Sequence, residues 1–375
     1  MPWRALDQWS VDDFTPTTLV RASNHISIEL VDPLGRLAAA APAMDPDAEV
    51  DFDLSPFLIR YKSGRVRRLM GTSRVGAGTD AATGVTTKDV VVDAGLAARL
   101  FVPKGVLGTA ARLPVLVYFH GGAFAVHSAF SAVHSRFLNA LVAAAGVVAV
   151  SVDYRLAPEH PLPAAYDDAW AALGWVVESC AASAAEVSRP GPEPEPWLAA
   201  HGDAARLFVA GDSAGGNIAH NVATRAGRSG LPGGARIEGM VLLHPYFRGR
   251  ELLPSEGTDP ELLQRAERIW RFVCAGKYGL DHSFVDPLAT PAAEWAVLGC
   301  RRALVTVAGL DTLRDRGRRY IEALRGSAWA GEEAVVYETE GEGHVYFLDE
   351  AGGGGGGDKA AREMAAVVSF IKRSA

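Results

Sequence analysis

Short, continuously apolar runs alternate along the chain with longer segments whose apolar positions recur at helical spacing. The runs are Pro114–Phe119, Val147–Val152, Arg206–Ala210, Glu238–Leu243, Ala303–Val307 and Glu333–Thr339. Most lack the alternation of a strand with one wet face, which predicts strands covered on both sides. Two further runs, Lys88–Val92 and Ala98–Val102, flank a turn at Asp93–Gly95 and predict an opening hairpin. Helical patterns occupy Ala129–Ala145, Ala164–Ala182, Ala214–Arg228, Leu313–Arg325 and Asp358 to about Lys372. This repetition predicts an α/β architecture, an eight-stranded, mostly parallel sheet with helices on both faces. Residues 1–86 and 246–300 fall outside the rhythm, and both can cover the sheet edge where ligands bind. Ser188–Pro196, Gly227–Gly234 and Gly352–Gly357 read as surface loops that vary freely, because Gly and Pro oppose regular pairing.

Composition narrows the classes of function. In 375 residues, 49% are hydrophobic and 22% charged, the balance of a folded chain with a sizeable core. A net charge of -7 without a basic run excludes a nucleic-acid partner as the working expectation. The uncharged stretch Phe137–Val152 is too short for a membrane span and contains Asn139, Gly146 and Ser151; a buried helix followed by a strand accounts for it. The three cysteines form no CxxC pair, so neither a disulfide framework nor a zinc site is expected, and a reducing compartment fits. Residues 1–43 have no secretory-type apolar core. They carry Asp7, Asp12, Asp13, Glu29 and Asp32, which argues against an organelle leader. The expectation is a cytoplasmic protein.

The candidate chemistry begins at Gly211-Asp212-Ser213-Ala214-Gly215, which fits G-x-S-x-G. It follows an apolar run and opens a helical pattern, as a strand-to-helix elbow that exposes a nucleophilic serine requires. The pentapeptide alone is also compatible with an ordinary turn. His120-Gly121-Gly122-Ala123-Phe124 follows the run Leu113–Phe119. Glycines there let backbone N–H groups approach a developing oxyanion, and losing one such donor typically costs about 10²–10³ in rate.

A general base must follow the serine in the order Ser, acid, His. Of ten histidines, His244, His282 and His344 lie far enough downstream. His344 sits in a glycine-bracketed loop after the last predicted strand. His244 leaves a strand into Pro245 and reads as structural, and His282 reads as exposed. The acid should leave the penultimate strand, which places Asp311. There it would hold the imidazole tautomer. Asp315, four residues on, reads as a solvent-facing partner of Arg318 or Arg319. Ser213, Asp311 and His344 are thus the candidate catalytic residues.

These motifs resemble those of plant carboxylesterases in the hormone-sensitive-lipase-like group of α/β-hydrolases. The resemblance covers about residues 44–375 and rests on Gly64–Gly71, Thr83–Val90, HGGAF at 120–124, Val150–His160, GDSAGGN at 211–217, His244–Phe247 and Asp311–Gly317. It implies oxyanion donors at Gly121, Gly122 and Ala214, and a cap over the acyl pocket from residues 44–86 and 246–300. Two departures stand out. Ala123 replaces the family's third glycine, which a donor tolerates if φ is negative. Residues 1–43 have no counterpart; they are expected to be a disordered extension, so a chain starting at Met44 should keep its activity.

The expected function is a serine carboxylesterase acting on small, relatively apolar esters through an acyl-enzyme, without metal or cofactor. Two alternatives follow from the same resemblance. A gibberellin-receptor-like binder would keep the serine and lose the histidine, and this chain has His344. A hydroxyisoflavanone-dehydratase-like lyase tends to carry Thr at the nucleophile position, and this chain has Ser213. Asp153, Arg155, Glu159, His160 and Asp168 read as a buried polar turn bracing the sheet. Tyr246, Phe247, Trp270 and Phe272 read as cap core or acyl-pocket wall, with core favoured.

Overall fold

The computed structural model describes residues 48–182, 194–348 and 356–373. The predicted extension 1–43 therefore lies outside the described residues. The chain opens with a three-stranded antiparallel sheet of β1 (Val50–Leu54), β2 (Leu58–Tyr61) and β3 (Val66–Arg68), which the sequence pattern missed. These strands are short and mostly half-buried, so they carry no long apolar run.

The main sheet has eight strands: β4 (Thr86–Asp93), β5 (Leu96–Val102), β6 (Leu113–Phe119), β7 (Val148–Asp153), β8 (Gly202–Asp212), β9 (Ile237–Leu243), β10 (Cys300–Ala308) and β11 (Glu333–Thr339). Their spatial order is β11-β10-β9-β8-β6-β7-β5-β4. The hairpin β4–β5 and the pair β5–β7 are antiparallel, and every other pairing is parallel. The architecture is the one expected. β6 and β9 are buried along nearly their whole length, as their uninterrupted apolar runs require.

Helices α1 (Ala132–Ala145) and α7 (Gly356–Lys372) bury Leu138, Val142, Val367 and Phe370 against one face. Helices α2 (Ala164–Ala181), α4 (Ala214–Ser229) and α6 (Arg314–Arg325) bury Trp175, Ile218 and Tyr320 against the other. Each such large side chain contributes about 1.5–3 kcal/mol by leaving water. The short α3 (Pro196–His201) leads into β8; its first residue is capped by Glu195, whose carboxylate accepts from the Leu198 N–H.

The two segments set aside from the rhythm pack on each other. The second forms α5 (Pro260–Val273), capped by Asp259. Phe52 of β1 stacks on Phe272 of α5 at 4.2 Å, and Arg268 lies over Phe52 while donating to the Asp53 carbonyl. Trp270, Phe247 and Phe272 are buried, as expected of core residues, while Tyr246 is half-buried.

Two expectations need correction. Gly227 is not a free loop glycine: it lies inside α4, and a Cβ there would come within 1.5 Å of the Val297 carbonyl oxygen. Backbone proximity requires the glycine. Gly356 and Gly357 likewise begin α7; residues 188–193 and 352–355 of the other expected loops lie outside the described residues. In the polar turn only Asp168 is buried; it pairs bidentately with Arg155, but Arg155, Glu159 and His160 are exposed and Asp153 is half-buried, with Glu159 binding Arg68.

Candidate active site

The sheet order brings the candidate residues together at the carboxyl ends of β6, β8, β9, β10 and β11. Phe119 pairs with Gly211, so the His120–Phe124 turn leaves the sheet beside the serine elbow. Asp212 pairs with Leu243 and places His244 on the other side. Thr306 of β10 lies alongside Leu243, which sets the exit toward Asp311 one strand further on.

Ser213 sits between β8 and α4 with φ 51° and ψ −116°. This is a strained conformation for a side-chain-bearing residue. Backbone bonds hold it: the Ser213 N–H donates to the Leu243 carbonyl, and its own carbonyl accepts from Tyr246. Small neighbours permit the turn. A Cβ on Gly215 would lie 1.9 Å from the Phe119 carbonyl oxygen, and one on Gly211 would lie 2.3 Å from the Gly215 carbonyl carbon.

His344 reaches over the elbow. Its Nε2 is 2.9 Å from Ser213 Oγ, and its Nδ1 is 2.7 Å from Asp311 Oδ2. Asp311 is buried, and its second oxygen accepts from the Leu313 N–H. Burial would raise this carboxyl, but the facing His344 outweighs that and holds it below the usual range. Asp315 instead pairs with Arg314 and Arg318 and accepts from the Ser255 N–H. His282 is half-buried rather than exposed, its Nδ1 accepting from the Phe284 N–H.

The expected oxyanion donors are corrected at one position. The Gly121 N–H donates to Asp212 Oδ1 at 2.9 Å, so this hydrogen is already engaged. The same carboxylate accepts from the Tyr118 hydroxyl at 2.6 Å and faces His134 Nε2 at 3.3 Å. A Cβ on Gly121 would meet Asp212 Oδ2 at 2.2 Å, which explains the glycine. Burial opposes ionisation of Asp212, but His134 and the Tyr118 hydroxyl outweigh it and hold the carboxyl well below its usual range. Among the described residues no acceptor takes the N–H groups of Gly122, Ala123 or Ala214. Ala123 has φ +51°, so the condition under which alanine fits here without strain, a negative φ, is not met. Asp212 and Tyr118 went unassigned in the sequence. The one signal was a carboxylate and a hydroxyl inside otherwise apolar strands.

In and beside this turn lie His120 and His134, both buried, and His127, which is half-buried. Burial, with the neighbouring His134, lowers His120 to about 3 and His127 to about 4. Burial also lowers His220, on α4, to about 3. All three are neutral at pH 7. Between pH 6.5 and these values the unfolded chain binds protons that the folded chain refuses, so stability falls as pH drops through that window. Each group contributes up to about 1.4 kcal/mol per pH unit. Asp311 and Asp212 act lower: their stabilisation is present above the usual carboxylate range and is lost as pH falls below it. Urea unfolding at pH 7, 6 and 5 should show a steady loss of stability; a flat profile would contradict the neutral burial of these histidines.

Comparison with known proteins identifies the family. Residues 116–348 match the family model described as alpha/beta hydrolase fold. Tuliposide A-converting enzyme 1, chloroplastic, of Tulipa gesneriana is 43% identical over 88% of this chain and 82% of its own length. The 2-hydroxyisoflavanone dehydratase of Glycyrrhiza echinata is 43% identical over 82% of this chain and 93% of its own. Probable carboxylesterase 13 of Arabidopsis thaliana is 41% identical over 80% and 93%. Among solved structures, a hyperthermophilic esterase of the archaeon Pyrobaculum calidifontis aligns with a TM-score of 0.59 at 26% identity, covering 76% of this chain and 85% of that one.

The expected cytoplasmic location is overturned by the chloroplastic relative. Among the described residues no helix is long and apolar enough to cross a membrane.

Proposed function

The chain belongs to the alpha/beta hydrolase family and is a carboxylic-ester hydrolase, and from that premise we propose that it cleaves small, relatively apolar carboxylic esters through an acyl-enzyme on Ser213. The observation that carries this reading is the unbroken hydrogen-bonded line Ser213–His344–Asp311. His344 Nε2 takes the Ser213 proton as the oxygen attacks the ester carbonyl, then returns it to the leaving alcohol. Asp311 holds the Nδ1 proton and stabilises the imidazolium. The tetrahedral oxyanion is met by the N–H groups of Gly122 and Ala214, with Ala123 also free to donate; Gly121 serves indirectly, tied to Asp212. Water then repeats the sequence on the acyl-enzyme, with His344 as base.

We assign the cap to residues 48–86 and 246–300, which meet at Phe52 and Phe272. A cleft of about 480 Å³ on the cap side is lined among others by Arg68, Arg74, His127 and Glu159. The chloroplastic relative supports a plastid location for this chain.

The test is turnover of short-chain nitrophenyl esters by the pure protein, with fluorophosphonate labelling mapped to Ser213. Absence of both would end the esterase reading at this serine. The dehydratase relative supports one second reading, and product analysis with a 2-hydroxyisoflavanone separates them: ester cleavage without dehydration retains the first.

A further inference from the structure

His244 and Glu363 are two buried ionisable groups that the proposed reaction does not use. Their side chains are 0% and 3% exposed. His244 leaves β9 with φ +46°, directly beneath the loop that carries His344. Its Nδ1 accepts a hydrogen bond of 2.9 Å from the backbone N–H of Val345, the residue after His344. An accepting Nδ1 carries no proton, which leaves Nε2 as the ring nitrogen able to donate. That nitrogen faces Glu363 Oε1, on α7, at 3.3 Å. The other oxygen of Glu363 accepts from the Tyr346 hydroxyl at 2.7 Å and from the Thr339 hydroxyl at 3.2 Å. Burial would raise the Glu363 carboxyl, but His244 and the hydroxyl donors outweigh it and hold it below the usual range, so it is ionised.

The network thus grips the histidine loop at both ends. Thr339 is the last residue of β11, where the loop departs. Val345 and Tyr346 lie just beyond His344. Val345 is β-branched and held at φ +47°, a conformation such residues adopt only when the surroundings impose it. Phe347 packs edge-on against the His244 ring at 5.3 Å. An apolar residue in place of His244 could fill the same space, but it could not accept the Val345 N–H.

We propose that His244, oriented by Glu363, is a positioning residue that fixes the Val345 backbone and so holds the His344 imidazole between Ser213 and Asp311. This rests on the reading of those three residues as catalytic. A misplacement of about 1 Å in a general base can cost about 10²-fold in rate.

Two independent measurements test it on the full chain. In the first, His244→Leu should lower kcat for a short-chain nitrophenyl ester by about 10²-fold with KM changed by less than about threefold. His244→Asn, whose Oδ1 can stand where Nδ1 stood, should recover most of that loss. Glu363→Gln, which keeps an acceptor for Tyr346 but removes the charge, should lose about tenfold in kcat. The double variant His244→Leu with His344→Ala should be no slower than His344→Ala alone, because the two act through one imidazole. A folded His244→Leu protein with unchanged kcat, or one that changes KM alone, overturns the proposal. Should His244→Leu fail to fold, an unchanged kcat in Glu363→Gln overturns it instead.

The second measurement needs no activity. The downfield proton of the His344–Asp311 hydrogen bond, followed by NMR without substrate, should shift or broaden in His244→Leu and return in His244→Asn. An undisturbed resonance in His244→Leu sinks the positioning role whether or not the protein is an esterase. Conversely, an inactive wild type with a perturbed resonance in the variant removes the catalytic reading and keeps the positioning one.

Discussion

Ser213→Ala is expected to lower kcat for a short-chain ester by on the order of 10⁶-fold while leaving the fold intact. The side chain lost is a single hydroxyl, and its hydrogen bond is the one to His344 Nε2. The elbow is held by backbone contacts that alanine preserves, from the Ser213 N–H to Leu243 and from Tyr246 to the Ser213 carbonyl. Thermal unfolding should therefore barely move, and fluorophosphonate labelling should vanish. His344→Ala should cost nearly as much, and the double variant no more than either alone, because residues acting as a unit are not additive. Some turnover over water should survive, from the free N–H groups near the elbow. Full activity in Ser213→Ala would exclude a serine acyl-enzyme.

Gly215→Ala should be severely damaging to activity although it removes no reacting atom. The added Cβ would sit 1.9 Å from the Phe119 carbonyl oxygen and 2.8 Å from that of His120. Both obstacles are backbone, so no flexible side-chain end can give way. Either β6 or the start of α4 must move. Overpacking in a close-packed interior costs about 1–3 kcal/mol and sometimes more, and here the strain falls between the elbow and the His120–Ala123 turn. We expect a loss of at least about 10²-fold in kcat/KM, with a lower urea midpoint. By contrast, Gly95→Ala, at an exposed hairpin where a Cβ meets nothing, should leave kcat/KM unchanged despite the strain of φ +83°. Similar activity in both variants would show that the elbow tolerates displacement.

Much of this was legible in the chain itself. The interior strands announced themselves because a strand covered on both faces must be apolar throughout; the half-buried edge strand β11 was also placed at Glu333–Thr339 as found. The elbow, the glycine turn, Asp311 and His344 were legible because each needs a particular residue type at a strand's carboxyl end. The small strands β1–β3 were not, because half-buried three- to five-residue segments have no period long enough to read. Gly227 looked like loop material because its partner, the Val297 backbone, is remote in sequence.

By itself, then, the sequence determined the sheet, the order of the chemical groups along it and the kind of reaction they suit. These follow from local patterns, since apolar runs and turn residues act within a few positions of themselves. Only the tertiary structure decided which polar groups meet. Asp212 takes the N–H of Gly121, 91 residues away, and His244 takes that of Val345, 101 residues away. Such contacts depend on which strands become neighbours and in what register, and a one-residue shift would point either side chain to the opposite face of the sheet.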